Sequence, residues 1–224
     1  MLKGVIFDFD GVLVDSEKAH FHAFRLVLSE HAGFDIGFDE YTEHYLAHSD
    51  HVATHRALER HEQPNPPDRV EDLATRKKKV FAELLPKIAF LPGARELILA
   101  LHDAGVPLAI ASGARRVEIQ ALLEAGGLLN KFKGIVSADD VDNFKPHPEP
   151  YLRGRALVGA NDDPRGVVAF EDSPTGMVSA RAANLRVIGV TNSCPRERLG
   201  LAHRVVDSLT ELSLKDLETF ASAV

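Results

Sequence analysis

Cysteine is almost absent from this chain: Cys194 is the one thiol in 224 residues, and it cannot close an intramolecular disulfide. No apolar run approaches the ~20 residues that a membrane-spanning helix needs, so no membrane partner is expected. Positive charge is also short, with 26 Lys and Arg against 33 Asp and Glu, a net charge of -7 and a pI near 5.9. Nucleic-acid affinity rests mainly on cations that neutralise phosphates, so a broad polyanion-binding surface is disfavoured, although a local basic pocket is compatible with the composition. Internal repeats and low-complexity tracts are missing too. Residues 2–14 are apolar enough to resemble a signal peptide, but Asp8, Asp10 and Asp15 interrupt them and no small-residue cleavage site follows. The expectation is a cytoplasmic protein, monomeric by default. Its 45% hydrophobic content can fill the core of one large domain or of a domain with an insertion.

Short β-rich runs recur at 4–9, 106–112, 134–138, 166–171 and 185–190, with helical patterns at 93–104, 114–125, 148–159 and 174–183 and a weaker one at 214–223. Such alternation predicts an α/β fold with a Rossmann-like, doubly wound parallel sheet. Between Asp15 and about Leu91 no strand is evident, and the pattern predicts helices near 17–31, 39–60 and 68–85, with a Pro-rich break at 61–68. The expected organisation is therefore a core of 1–14 plus 92–224 and an inserted all-α domain of 15–91 that leans over the sheet's edge. Phe90-Leu91-Pro92-Gly93 reads as the return hinge.

In an open parallel sheet, ligands bind outside the carboxyl ends of the strands, so polar residues there carry the most information. Asp8 and Asp10 close the first strand, Ser112-Gly113 the second, and Glu171-Asp172-Ser173 the fourth; Lys145-Pro146 lies just beyond the third. Four carboxylates cannot converge without protonation or an external cation. A hard, oxygen-seeking ion such as Mg2+ removes the conflict, and with Lys145 it favours an anionic phosphoryl ligand. Two apart on a strand, Asp8 and Asp10 would share a face, one to attack phosphorus and the other to handle the proton. Gly11 lets the chain turn, and the amides from Gly11 and Val12 onward can hold phosphoryl oxygens.

The segments Asp8-Phe9-Asp10-Gly11-Val12-Leu13-Val14-Asp15-Ser16, then Ser112, Lys145-Pro146-His147-Pro148 and Phe170-Glu171-Asp172-Ser173-Pro174-Thr175-Gly176 resemble the four ordered motifs of the haloacid dehalogenase-like hydrolases. The helical insertion directly after the first motif resembles the branch with phosphoglycolate phosphatase and β-phosphoglucomutase. The resemblance implies Asp8 as nucleophile and metal ligand, and Asp10 as general acid/base with a backbone carbonyl on the metal. It implies Asp172 as metal ligand, Glu171 as a second ligand or its support, Ser112 with Gly113 as phosphoryl-orienting groups and Lys145 as their neutralising cation. Members that act on haloacids look different at the position of Asp10, so dehalogenation is disfavoured.

The implied activity is a Mg2+-dependent phosphatase for a small phosphorylated metabolite, a sugar phosphate or a phosphoglycolate-like compound, acting through an aspartyl-phosphate. The alternative is a β-phosphoglucomutase-like mutase, which the stretch 46–50 disfavours because it lacks the cap-loop arginine of those relatives. A phosphonatase or a non-catalytic sensor of a phosphometabolite ranks lower. Ser112 is followed by Gly113-Ala114-Arg115-Arg116, whereas many relatives place another small polar residue just after the serine; Arg115 or Arg116 either contributes substrate charge or, the favoured reading, is solvated at a helix start. His44, His48, His51 and His55 have the spacing of one helical face. The resemblance instead implies a break near 47–50 that carries a substrate-contacting loop, so the four histidines belong to different elements; a solvated or loosely packed surface is the favoured reading for them, with His48 the first candidate to see substrate. His20 either packs within its helix or faces the active site like a histidine of the β-phosphoglucomutase group. Lys77, in the run 76–79, is most simply part of a solvated helix face, but it also matches a cap lysine of that group. Cys194 reads as a structural or incidental thiol.

Overall fold

The computed structural model describes residues 1–46 and 48–222. The chain divides into two compact units, Met1–Asp15 with Ala89–Val224, and Ser16–Ile88. In the first unit six parallel strands, β1 (Gly4–Phe7), β2 (Leu108–Ala111), β3 (Gly134–Val136), β4 (Val167–Glu171), β5 (Arg186–Val190) and β6 (Arg204–Val206), lie in the order β3-β2-β1-β4-β5-β6. β1 and β4 are central neighbours, in register from Gly4 opposite Val167 to Phe7 opposite Phe170. All residues of β1, β2 and β4 are buried, which accounts for their unbroken apolar runs in place of alternation. The sixth strand escaped the sequence reading: Arg204-Val205-Val206 is a three-residue edge strand, partly exposed and too short to show a pattern.

Strand β1 ends at Phe7, two residues earlier than expected. Asp8 N–H still donates to the Phe170 carbonyl at 3.0 Å, but the chain then folds back, with Leu13 N–H on the Phe9 carbonyl (2.8 Å) and Gly11 N–H on the Val14 carbonyl (2.8 Å). Gly11 makes this possible at a φ of 73°, a conformation that L side chains disfavour. Val14 then bridges Phe90 antiparallel, and Asp15 N–H reaches the Ala89 carbonyl. These contacts hold Asp15 and 89–91 with the sheet, although the sequence pattern assigned them to the insertion.

The second unit holds α1 (Glu17–Val27, continued by a wider turn over Leu28–Ala32), α2 (Phe38–His44), α3 (Asp50–Arg60) and α4 (Pro67–Leu84). Phe24, Leu28, Tyr41, Tyr45, Leu58, Val70 and Leu73 form its own buried core. The single helix expected over 39–60 is two helices. Ser49 caps α3, its Oγ accepting from Val52 N–H at 3.4 Å, and a capping residue inside an apparently continuous pattern marks a new start. Pro67 opens α4 at its first helical position.

Back in the first unit, α5 (Ala94–Asp103), α6 (Arg116–Ala125), α7 (Glu149–Leu157), α8 (Pro174–Ala182) and α9 (Leu214–Ser222) accompany the sheet. α7 and α8 pack on one face, where Ile6, Ala109, Ala169 and Val187 from successive strands meet Tyr151 and Met177. α5 and α9 contact each other and reach β2 and β4 respectively. Among the described residues no helix is long and apolar enough to cross a membrane.

Candidate active site

The carboxyl ends of β1 and β4 sit side by side, so the residues after them meet. One oxygen each from Asp8, Glu171 and Asp172 lies within 4.8 Å of the others, and all three side chains are buried. The Lys145 ammonium stands 2.9 Å from Asp8 Oδ1 and 2.6 Å from Glu171 Oε1. Burial pushes the Asp8 carboxyl well above the ordinary range, Lys145 works against that rise, and the charges of Glu171 and Asp172 add to it. Burial and Glu171 push the Asp172 carboxyl up to about 7, with the Ser193 hydroxyl and Lys145 opposing. Burial disfavours the Lys145 charge, yet Asp8 and then Glu171 outweigh it and hold the ammonium above the usual lysine value.

Three carboxylates against one ammonium leave an excess of negative charge in a desolvated place. That imbalance, together with an all-oxygen donor set, fits a hard divalent cation. Asp8 and Asp172 are the side chains that could hold one. Glu171 is engaged elsewhere: its Oε1 accepts from Lys145 and from the Tyr151 hydroxyl (2.7 Å), and its Oε2 from the amides of Asp172 and Ser173 and the Ser173 hydroxyl (3.0 Å). It is a fully buried anchor for Lys145, whose ammonium also stands 5.1 Å from the Tyr151 ring centroid. A Cβ at Gly176 would collide with the Glu171 carboxylate, so the first turn of α8 can pass only as glycine.

Asp10 lies in the turn and not on the strand, so the shared strand face expected for the two aspartates does not occur; Asp10 still acts electrostatically on Asp172. Gly11 and Val12 continue the turn, with Val12 fully buried. Ser112 is buried at the end of β2, its Oγ accepting from Ala114 N–H at 3.0 Å, beside an exposed Gly113. Arg115 is exposed, its guanidinium folded onto Glu118 at 3.0 Å to cap α6.

In the helical unit Lys77 departs from the solvated face expected for its run. It is 5% exposed, 2.6 Å from Asp50 Oδ1 and 2.7 Å from His20 Nδ1. His20 stacks on Phe81 with ring centroids 3.8 Å apart, and burial, then the Lys77 charge, lowers its pKa to about 3. His44 belongs to α2, His51 and His55 to α3, and His48 to the connection between them, where it contacts Arg56. The single histidine face therefore does not exist. Ala47, also in the loop implied by the resemblance, lies outside the described residues.

Sequence reasoning missed Tyr151, Asn192 and Ser193. The last two follow β5, and the strand-end rule that selected the other clusters would have selected them. Asn192 Nδ2 donates to the Gly11 carbonyl at 2.8 Å, and the Ser193 hydroxyl donates to Asp172 Oδ2.

Residues 5–190 match the family model of the haloacid dehalogenase-like hydrolases, and the chain belongs to that family. It is 33% identical to hexitol phosphatase B of Escherichia coli K12 over 219 residues, covering 95% of each chain. Among solved structures it resembles CbbY of Rhodobacter sphaeroides in complex with phosphate, at a TM-score of 0.85 and 28% identity, covering 97% of this chain and 100% of that one. It also resembles β-phosphoglucomutase of Clostridium difficile, at a TM-score of 0.81 and 26% identity, covering 99% and 97%.

Proposed function

We propose that this protein is a Mg2+-dependent phosphatase of a small phosphorylated metabolite, with a sugar phosphate as the favoured class. The observation that carries the reading is the meeting of Asp8, Lys145 and Asp172 in one buried, negatively overcharged cluster. A relative's name, hexitol phosphatase B, supports the substrate class. Asp8 attacks phosphorus through a carboxylate oxygen while the ester P–O bond breaks, and Asp10 gives its proton to the leaving alcohol oxygen. Asp10, now a carboxylate, takes a proton from water as that water attacks the aspartyl-phosphate, releasing phosphate and restoring Asp8. Lys145 holds the position of Asp8 and neutralises phosphoryl oxygens, with Ser112 and the amides of Gly11 and Val12 orienting them. Asp8, Asp172 and the Asp10 carbonyl would hold Mg2+, which supplies charge neutralisation and polarises the phosphoryl group.

In this reading the sheet-bearing unit is the catalytic core and the helical insertion is a cap that selects the alcohol, with His20, His48 and Lys77 as its selecting side chains and Arg115 a lesser candidate from the core. A monomer in the cytoplasm completes the reading. A phosphonatase would need a cap lysine free to form a Schiff base, whereas Lys77 is engaged by Asp50 and His20. The likeness to β-phosphoglucomutase keeps transfer to a second hydroxyl as the rival outcome. Phosphate release from a panel of hexitol, hexose and pentose phosphates and phosphoglycolate, with Mg2+ or EDTA, separates these readings. Metal-dependent release that is lost in Asp8→Asn supports the phosphatase; isomerised sugar phosphate without free phosphate assigns a mutase, and neither product shifts the weight to a sensor.

A further inference from the structure

Three consecutive side chains after β5 each bond to a different point of the two loops that carry Asp8 and Asp172. Asn192 Nδ2 donates to the Gly11 carbonyl, the Ser193 hydroxyl to Asp172 Oδ2, and the Cys194 thiol to the Asp172 carbonyl at 3.3 Å. In the sheet β5 is next to β4 but two strands from β1, so Asn192 reaches past the loop of β4 to that of β1. At about 4.8 Å per strand this is a span of roughly 10 Å, which an isolated surface loop would not hold in one place. The loop is braced from its far side. Thr191 N–H donates to the Val206 carbonyl (3.1 Å), Thr191 Oγ1 to Asp207 (2.9 Å), and Arg196 pairs with the same carboxylate at 2.6 Å while bonding the Val205 carbonyl. The short edge strand β6 thus anchors a strap that ends on the site.

We infer that residues 191–194 form a clamp that positions the metal-binding carboxylates, with Ser193 fixing the rotation of the Asp172 carboxylate and Asn192 fixing the turn after Asp8. The inference rests on the proposed metal site. Asp8 and Asp172 repel one another, and the Ser193 hydroxyl donor is what keeps the Asp172 carboxylate turned to one orientation. Gly11 is part of the same fit: a Cβ there would collide with both Asp172 Oδ2 and Ser193 Oγ, so turn, carboxylate and hydroxyl interlock. Ser193 and Asn192 are positioning residues, since they act through Asp172 and Gly11. Both are exposed as residues, so their substitution leaves the buried core intact.

The test is Mg2+ binding to the intact protein by titration calorimetry, without substrate, for wild type, Ser193→Ala, Ser193→Thr, Asn192→Ala and Asp172→Ala. Loss of a group that orients a ligand typically costs roughly 10- to 100-fold in metal affinity, and Ser193→Ala is expected in that range. Ser193→Thr, which keeps the hydroxyl, restores most of the affinity, and Asn192→Ala weakens binding in the same direction by less. Ser193→Ala binding Mg2+ like wild type, while Asp172→Ala has lost it, overturns the clamp and leaves the metal site standing. Wild-type affinity in Asp172→Ala overturns the metal site and the clamp with it. Equal weakening in Ser193→Ala and Ser193→Thr also overturns the clamp, because the hydroxyl is then not what matters.

Discussion

Replacing Lys145 by Met removes the cation that touches both Asp8 and Glu171. At distances of 2.9 and 2.6 Å each attraction amounts to roughly 6 kcal/mol at an effective dielectric of ~20, before the desolvation that offsets it. What remains in the variant is three carboxylates, Asp8, Glu171 and Asp172, in a buried place with no ammonium between them, and breaking a buried pair from one side costs about 3–5 kcal/mol. A proton can relieve that strain, which sets an upper bound. Placing it on a carboxyl of ordinary pKa near 4 costs about 5 kcal/mol at pH 8 and about 2 kcal/mol at pH 5.5. The folded variant therefore takes up one more proton than folded wild type as pH falls through this window, so the stability gap between them must narrow as pH falls. Urea denaturation in EDTA at the two pH values measures it: a loss of about 3–5 kcal/mol at pH 8, falling to about 2 kcal/mol or less at pH 5.5. Adding Glu171→Gln should recover part of the loss at pH 8. A gap that is the same at both pH values, or absent at pH 8, would refute the argument that Lys145 is held as a charge-balancing group.

His20 gives an independent pH test in the helical unit. Its folded pKa of about 3 lies below the unfolded value near 6.5, so the unfolded chain binds the proton first and stability is lost as pH falls below 6.5. By pH 5 the loss is about 2 kcal/mol, and in His20→Phe that component of the pH dependence should vanish; an unchanged pH profile in the variant contradicts the buried neutral imidazole. Gly11→Ala forces an L side chain into positive φ, at about 1–2 kcal/mol, and drives its Cβ into the Asp172 carboxylate. Calorimetry should show Mg2+ binding weakened by more than that modest loss of stability explains, and wild-type Mg2+ affinity would mean that the turn and Asp172 are not interlocked.

The strands that matter most were legible because they are fully buried: β1, β2 and β4 read as continuous apolar runs ended by Asp8, Ser112 and Glu171. The ordered motifs then located Asp8, Lys145 and Asp172, since acids at the ends of buried strands have few structural reasons to be there. What was not legible depended on partners distant in sequence. Lys77 looks like any member of a basic helix run until Asp50 and His20 are seen to bury it, 27 and 57 residues away. Glu171 and Asp172 are equivalent as neighbouring acids, and only Tyr151, Lys145 and the amides of 172–173 reveal that Glu171 is already engaged. β6 carries no periodic signal, and its relation to the site exists only through the strand order, whereas Asn192 and Ser193 were open to the same strand-end rule.

The most direct test of the central claim, that Asp8 is the phosphoryl acceptor, uses Asp10→Asn with an aryl phosphate, whose leaving group departs without needing a proton. Deprived of its general base, the variant should stall after the first transfer. Acid-quenched protein, digested and weighed by mass spectrometry, should then carry a phosphoryl group on the peptide that contains Asp8, and EDTA should abolish it. Phosphoryl transfer that leaves the Asp8 peptide unmodified, or that marks another side chain, would contradict the account.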